Sequence, residues 1–218
     1  MIDKIKEFNK AFNLPVSVGV DFERQKLFRT LIEEEIDEYW EAVNYSIHRD
    51  NERGLVYILD ALVDITYLTI GAYVYAGEKC TFHHKFINEP QPICDKNKIE
   101  TYRNCYNYMM DYLEKYEVAV DLHKIDLELE LILNQVFYLL SVHGLLSKFP
   151  DAVDEVHNSN MSKLCDTLED AEATKLYYSQ SGVLTYHEEH NDKFIVYRKD
   201  GKVLKGINYF KPNLKKLF

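Results

Sequence analysis

Paired metal-binding or redox cysteines are missing from this chain. Its four cysteines, Cys80, Cys94, Cys105 and Cys165, form no C-x-x-C pair and follow no regular spacing. That excludes a disulfide framework and predicts reduced thiols in a cytoplasmic protein. Glu-x-x-His occurs nowhere, which excludes the ligand pattern of di-iron helical bundles. Internal repeats and low-complexity segments are also absent. Positive charge is scarce: 26 Lys and Arg stand against 36 Asp and Glu, for a formal net charge of −10. So acidic a chain is not a general binder of nucleic-acid polymers or of acidic membranes. A single nucleotide is still admissible, because a metal ion can bridge acid to phosphate. The opening Met-Ile-Asp-Lys-Ile-Lys-Glu-Phe starts an amphipathic helix and lacks the apolar core of a signal peptide.

What is present is a globular composition: 218 residues, 46% of them hydrophobic, enough for one substantial domain or a core domain with an insertion. Between Gly54 and Gly77 runs an apolar stretch whose only charges are Asp60 and Asp64. Spaced four apart, both carboxylates point the same way on a helix. The run is long enough to cross a bilayer, but each mid-bilayer Asp costs about 2.5–3.5 kcal/mol. Tyr57, Thr66, Tyr67, Thr69, Tyr73 and Tyr75 make it more polar still. A buried bundle helix is the better reading, with no membrane partner.

Helical spacing predicts a first helix over residues 2–12 (Ile2, Ile5, Phe8, Phe12) and a loop marked by Pro15 and Gly19. An acidic helix follows over 21–44, with Ile32, Ile36, Tyr39 and Val43 as its apolar stripe. A connection spans 45–54, and the buried helix runs from about 55 to 76. After a break containing Pro90 and Pro92, helices are expected over 99–118 and 121–147, from Asp151 to Leu164, and near 167–177. In the tail, Phe-Ile-Val-Tyr-Arg-Lys and Lys-Val-Leu-Lys flank Asp200-Gly201, which reads as a β-hairpin around a turn with positive φ. The fold class is therefore mainly α: a helical bundle with paired acidic helices, a helical insertion and a small C-terminal β-hairpin.

On a helical wheel Glu34, Glu35, Glu38 and Glu41 gather on one side of the acidic helix, opposite Ile32, Ile36, Tyr39 and Val43. Leu27 and Leu31 continue the carboxylate stripe, which suits a face lining a pocket or interface better than one facing water. A wet surface is the commoner meaning of such a run. Asp60 and Asp64 shift the balance, although they can also bond backbone groups, Thr66 or a tyrosine. Two like charges on an apolar helix are costly unless a cation meets them. Oxygen-only ligands favour Mg²⁺, with Mn²⁺ as an alternative.

Three segments resemble the MazG-like and phosphoribosyl-ATP pyrophosphohydrolase-like all-α superfamily. Leu31-Ile-Glu-Glu34-Glu35-Ile-Asp-Glu38-Tyr-Trp-Glu-Ala42 resembles its Glu-Glu-x-x-Glu helix, phased so that Ala42 falls at the family's small residue. Asp60-Ala-Leu-Val-Asp64-Ile-Thr-Tyr67 resembles its second acidic helix. Glu155-Val-His-Asn-Ser-Asn160-Met-Ser-Lys163, followed by Asp200-Gly-Lys202-Val-Leu-Lys205, resembles its later Asn-x-Ser-Lys and Asp-Gly-Lys-x-x-Lys stretches. The resemblance implies one domain over 1–218, with a helical insertion at about 78–133 and a hairpin tail at about 178–218. It implies hydrolysis of a nucleoside triphosphate, by expectation a deoxynucleotide, to monophosphate and pyrophosphate. In that scheme Glu34, Glu38, Asp64 and Asp60 hold Mg²⁺ and Glu35 acts on the attacking water. Asn160, Lys163, Lys202 and Lys205 meet the substrate. A homo-oligomer, dimer or tetramer, is also implied. The competing readings are a catalytically silent helical protein that binds a nucleotide or partner, and a phosphoribosyl-ATP pyrophosphohydrolase. His187 and His190, near a predicted loop, and likewise His83-His84, are read as solvent-exposed histidines without matched metal ligands.

Overall fold

A computed structural model describes residues 1–77 and 98–218. The break with Pro90 and Pro92, Cys80, Cys94 and His83-His84 lie outside the described residues. Among those described the chain is mainly helical, with α1 (Ile2–Ala11), α2 (Phe22–His48), α3 (Asn51–Ala76), α4 (Lys98–Glu117), α5 (Leu122–Val142), α6 (Phe149–Met161) and α7 (Leu168–Ser179). An antiparallel pair, β1 (Thr185–His190) and β2 (Lys193–Arg198), and a closing 3₁₀ turn, Leu214–Leu217, complete it. Two compact units are distinguished, one of Val16–Val153 with Leu214–Phe218, the other of Met1–Pro15 with Asp154–Asn213.

The larger unit is a four-helix arrangement in which α2 packs on α3 and α4, and α5 packs on α3 and α4. Its core is the predicted stripe of α2 (Ile32, Ile36, Tyr39, Val43) with Ile58, Leu62, Ile65, Met109, Leu113, Leu129, Leu133 and Val136, all essentially buried. Of the expected insertion, residues 78–97 lie outside the described part. The remainder forms α4 and the start of α5, so it supplies one of the four walls and part of another. Apolar enough by length and composition to cross a membrane, α3 has 67% of its most hydrophobic window buried inside the protein.

The connection expected over 45–54 shrinks to Arg49 and Asp50. Asp50 caps α3 by accepting from Arg53 N–H at 3.0 Å, and Arg49 N–H still reaches Tyr45 O at 2.9 Å. Both helices therefore run almost to the turn. Gly54 permits this, since a Cβ there would stand 2.3 Å from Ser46 Cβ. No side chain fits, and the closeness of two backbones was invisible in the residue pattern.

In the smaller unit the hairpin also differs from expectation. Phe194 to Arg198 is a strand as predicted, but its partner precedes it: Thr185 pairs with Arg198 and His190 with Lys193. The turn is Asn191-Asp192, with φ of 50° and 57°, the positive-φ pair that matches strand twist in two-residue hairpins. Asp200-Gly201 does turn the chain, with Gly201 at φ 88°, but only one isolated bridge, Tyr197 with Val203, follows it. His187 and His190 thus lie on β1, and both are half-buried where exposed histidines were expected. The strand side chains feed two small cores, Phe12 with Ile195 and Tyr197, and Cys165 with Ala171, Val196 and Leu204.

Candidate active site

The acidic helices are antiparallel neighbours, and two close contacts set their register. Ser46 meets Gly54 near the turn, and the Phe28 ring would lie 3.4 Å from a Cβ on Gly71 at the far end. Counting inward from both places Glu35 level with Asp64, and Glu38 and Tyr39 level with the Asp60–Leu62 turn. The face of α2 that turns towards α3 carries Phe28, Glu35, Ala42 and Ser46, all at heptad-like spacing. Asp21 starts α2 by accepting from Arg24 N–H at 3.1 Å, and Tyr75 Oη donates to its other oxygen at 2.7 Å. These hydrogen bonds hold the Asp21 carboxyl below its usual value.

Glu34, Glu35, Asp60 and Asp64 are each half-buried, whereas Glu38 is exposed. Oδ1 of Asp60 is fully buried. Four half-buried carboxylates on two touching helices make a field of like charge flanked by the buried Ala61, Leu62, Val63 and Ile65. Such a field is relieved by a divalent cation more effectively than by hydration. The donors are oxygen alone, the chemistry of a hard cation. As the side chains stand, no three Asp, Glu, His or Cys groups converge on one point among the described residues.

The four predicted substrate residues belong to the smaller unit, where the structure brings their two segments together. Asn160 is the penultimate residue of α6 and 8% exposed. Lys163, half-buried, follows in a turn whose N–H reaches Asn160 O at 3.1 Å. Ser159 Oγ donates to Phe210 O at 2.8 Å, and Phe210 N–H donates to Ser162 Oγ at 3.2 Å. Gly206 passes so close that a Cβ would sit 2.8 Å from Lys163 O. Asp200 accepts from Lys202 N–H at 3.2 Å and from Arg198 Nε at 2.9 Å. The Arg198 hydrogen bonds keep its carboxyl below the usual range. Lys202 is half-buried, and Lys205 is exposed with its ammonium 5.0 Å from the centre of the Tyr209 ring. That contact leaves a compact cation poised at the surface.

Residue types alone did not single out the stitching by Ser159, Ser162 and Gly206. The glycine directly after Lys205 was the available signal. The histidines of β1 have protein partners: His187 Nδ1 is 3.3 Å from a Glu172 oxygen, and His190 Nε2 is 2.9 Å from Lys10 O. Cys105 and Cys165 are free and buried. Burial pushes the Cys105 thiol up to about 11.

Residues 5–81 match the family described as phosphoribosyl-ATP pyrophosphohydrolase. The match takes in both acidic helices. The chain is also 28% identical, over 246 aligned positions, to an uncharacterized protein of Acanthamoeba polyphaga mimivirus, with 98% of this chain and 93% of that protein covered. No solved structure matches it.

Proposed function

We propose, for a chain whose residues 5–81 are a domain of the MazG-like all-α NTP pyrophosphohydrolase superfamily, that it hydrolyses a nucleoside triphosphate, preferably a deoxynucleotide, to the monophosphate and pyrophosphate with Mg²⁺. The observation carrying this reading is the antiparallel α2–α3 pair, whose half-buried Glu34, Glu35, Asp60 and Asp64 share one stretch, with Glu35 level with Asp64.

A triphosphate is a polyanion, so an acidic site accepts it only when cations intervene. Glu34, Glu38, Asp64 and Asp60 are the groups that would hold Mg²⁺, or Mn²⁺ in its place. When bound, the metal neutralises phosphate charge and stabilises the departing pyrophosphate. Glu35 orients the attacking water and accepts its proton as the water oxygen bonds to the α-phosphorus. The bond to the bridging oxygen breaks and pyrophosphate leaves. The resemblance gives Lys163, Lys202 and Lys205 the role of meeting phosphate charge, and Asn160 that of a hydrogen-bonding contact to sugar, base or phosphate. Assembly into a dimer or tetramer belongs to the same proposal and is read by light scattering.

Two other readings stay in the test. The name of the matched family favours phosphoribosyl-ATP as substrate. The absence of three converging carboxylates among the described residues favours a silent binder. Pyrophosphate release over a panel of NTPs, dNTPs and phosphoribosyl-ATP, with Mg²⁺ and with chelator, separates all three. Mg²⁺-dependent turnover of a triphosphate supports the proposal. Turnover of phosphoribosyl-ATP alone favours the second reading, and none on any substrate by a folded protein favours the third.

A further inference from the structure

For Glu35 and Glu38 to act, α2 must hold a fixed rotation about its own axis. Its apolar stripe does not supply one. Ile32, Ile36 and Val43 are buried, but hydrophobic contact is non-directional. Tyr39 is different. It lies one turn after Glu35 and next to Glu38, level with Asp60 on the neighbouring helix, and its side chain is 0% exposed. Its hydroxyl ends 3.3 Å from Nε2 of His143, the C-terminal cap of α5. The imidazole stacks on Tyr102 of α4, with centroids 4.3 Å apart at 22°, and meets the Tyr39 ring edge-on at 6.1 Å. One hydrogen bond and one ring stack thus join three helices at the height of the carboxylates.

We propose that Tyr39 and His143 are positioning residues whose mutual hydrogen bond fixes the rotation of α2, and with it the direction of Glu35 and Glu38. The proposal rests on the metal and water roles given to those carboxylates above. Chemistry at the contact agrees with it. Enclosure pushes the His143 ring down to about 4, so it is neutral near pH 7, and in the tautomer with its proton on Nδ1 the Nε2 atom accepts. The Tyr39 hydroxyl, a phenol with a proton to give, then donates across the 3.3 Å contact. The cap itself is set by the local backbone. Gly144 takes φ +71° directly after His143, and Leu145 N–H closes on Leu140 O at 2.7 Å. A loose His143 would not hold its partner. A further tie on the acidic stretch, Tyr106 Oη to Asp37 at 2.8 Å, is exposed to water.

A built-in control exists. Tyr73 Oη donates to Asp126 O at 2.6 Å, tying α3 to α5 more than two turns beyond Asp64. Its loss costs a part-buried hydrogen bond away from the acidic stretch.

The test measures Mn²⁺ affinity by calorimetry, together with kcat and KM, on the full-length protein and on Tyr39→Phe, His143→Phe, His143→Gln and Tyr73→Phe. Tyr39→Phe and His143→Phe should weaken Mn²⁺ binding and lower kcat, each about tenfold, with KM for nucleotide nearly unchanged. His143→Gln should recover most of both, because an amide oxygen accepts the same bond. Tyr73→Phe should lose thermal stability yet keep Mn²⁺ affinity and kcat. Equal Mn²⁺ affinity in Tyr39→Phe and Tyr73→Phe overturns the proposal, as does a parent protein that binds no Mn²⁺. If the parent binds Mn²⁺ but turns over no nucleotide, the hydrolase reading fails, and the ranking of affinities still decides this one. Should Tyr39→Phe not fold, the two His143 variants decide it.

Discussion

The larger unit and the smaller one carry their candidate site residues by opposite means. In the first, five carboxylates ride on long helices whose register follows from apolar packing and two glycine contacts, Gly54 on Ser46 and Gly71 on Phe28. In the second, Asn160 and three lysines sit at a helix end and in loops held by serine hydroxyls, a carboxylate cap and Gly206. Helix packing sets the height of the charges along the bundle, and by our proposal one polar contact, Tyr39 to His143, sets their direction. Loop stitching places charge through a few hydrogen bonds, each of which matters. The acidic half should therefore respond most to changes at its charged groups and less to the single Tyr39–His143 contact, and the lysine half to changes throughout its scaffold.

The largest effect is expected at the carboxylates. Asp64→Asn and Glu38→Gln should each abolish measurable hydrolysis, a loss of more than about a hundredfold. Asp64→Asn should also raise the metal-free melting temperature, because it removes like-charge repulsion from a half-buried site, whereas the exposed Glu38 should add little. Wild-type rates in both variants would remove α2 and α3 from the site. Next come the lysines. Lys163→Ala or Lys202→Ala should raise KM for a triphosphate about tenfold, the range of one charge-assisted phosphate contact. An unchanged KM would leave those residues to the surface.

Backbone contacts come third. Gly54→Ala and Gly206→Ala each push a methyl into main-chain atoms, Ser46 in one case and Lys163 O in the other. Each should cost about 1–3 kcal/mol in denaturant unfolding. Only Gly206→Ala should raise KM by more than it lowers stability. Equal kinetics in both would erase the contrast between the units. By comparison Gly71→Ala, where the added methyl meets the Phe28 ring at an ordinary 3.4 Å, should be stabilising by up to about 1 kcal/mol from helix propensity.

The smallest effect is on pH. His143 has an ordinary value of 6.5 and is held at about 4. Between those values the unfolded chain binds a proton that the folded one refuses, so stability is full above 6.5 and falls as pH drops towards 4. His157, also lowered by burial, acts in the same sense. The depressed Asp21 and Asp200 act in a separate window, below about 3.8. Melting temperature should therefore decline from pH 7 to pH 5, and His143→Gln should flatten the slope. An unaltered slope would mean the ring titrates normally.

Much of this architecture was legible in the residues. Ile32, Ile36, Tyr39 and Val43 announced the buried face of α2, and a run with only two charges announced α3. What stayed hidden was decided by contacts distant in sequence or by backbone geometry. The connection between α2 and α3 shortened because Gly54 admits Ser46. The hairpin chose Asn191-Asp192 over Asp200-Gly201 because the earlier pair gives six paired positions instead of a single bridge. Site residues were nameable from motif order, but their relation was not. The level pairing of Glu35 with Asp64 follows from packing at Phe28–Gly71, and Tyr39 read only as core until its hydroxyl was found on His143.

The central claim is that the carboxylates of α2 and α3 put Mg²⁺ to use on a triphosphate. Phosphorus NMR of the protein with a deoxynucleoside triphosphate tests it most directly. The account predicts matched growth of monophosphate and pyrophosphate signals with Mg²⁺, and none with chelator or in Asp64→Asn. Orthophosphate in place of pyrophosphate, or the same signals from Asp64→Asn, would contradict it.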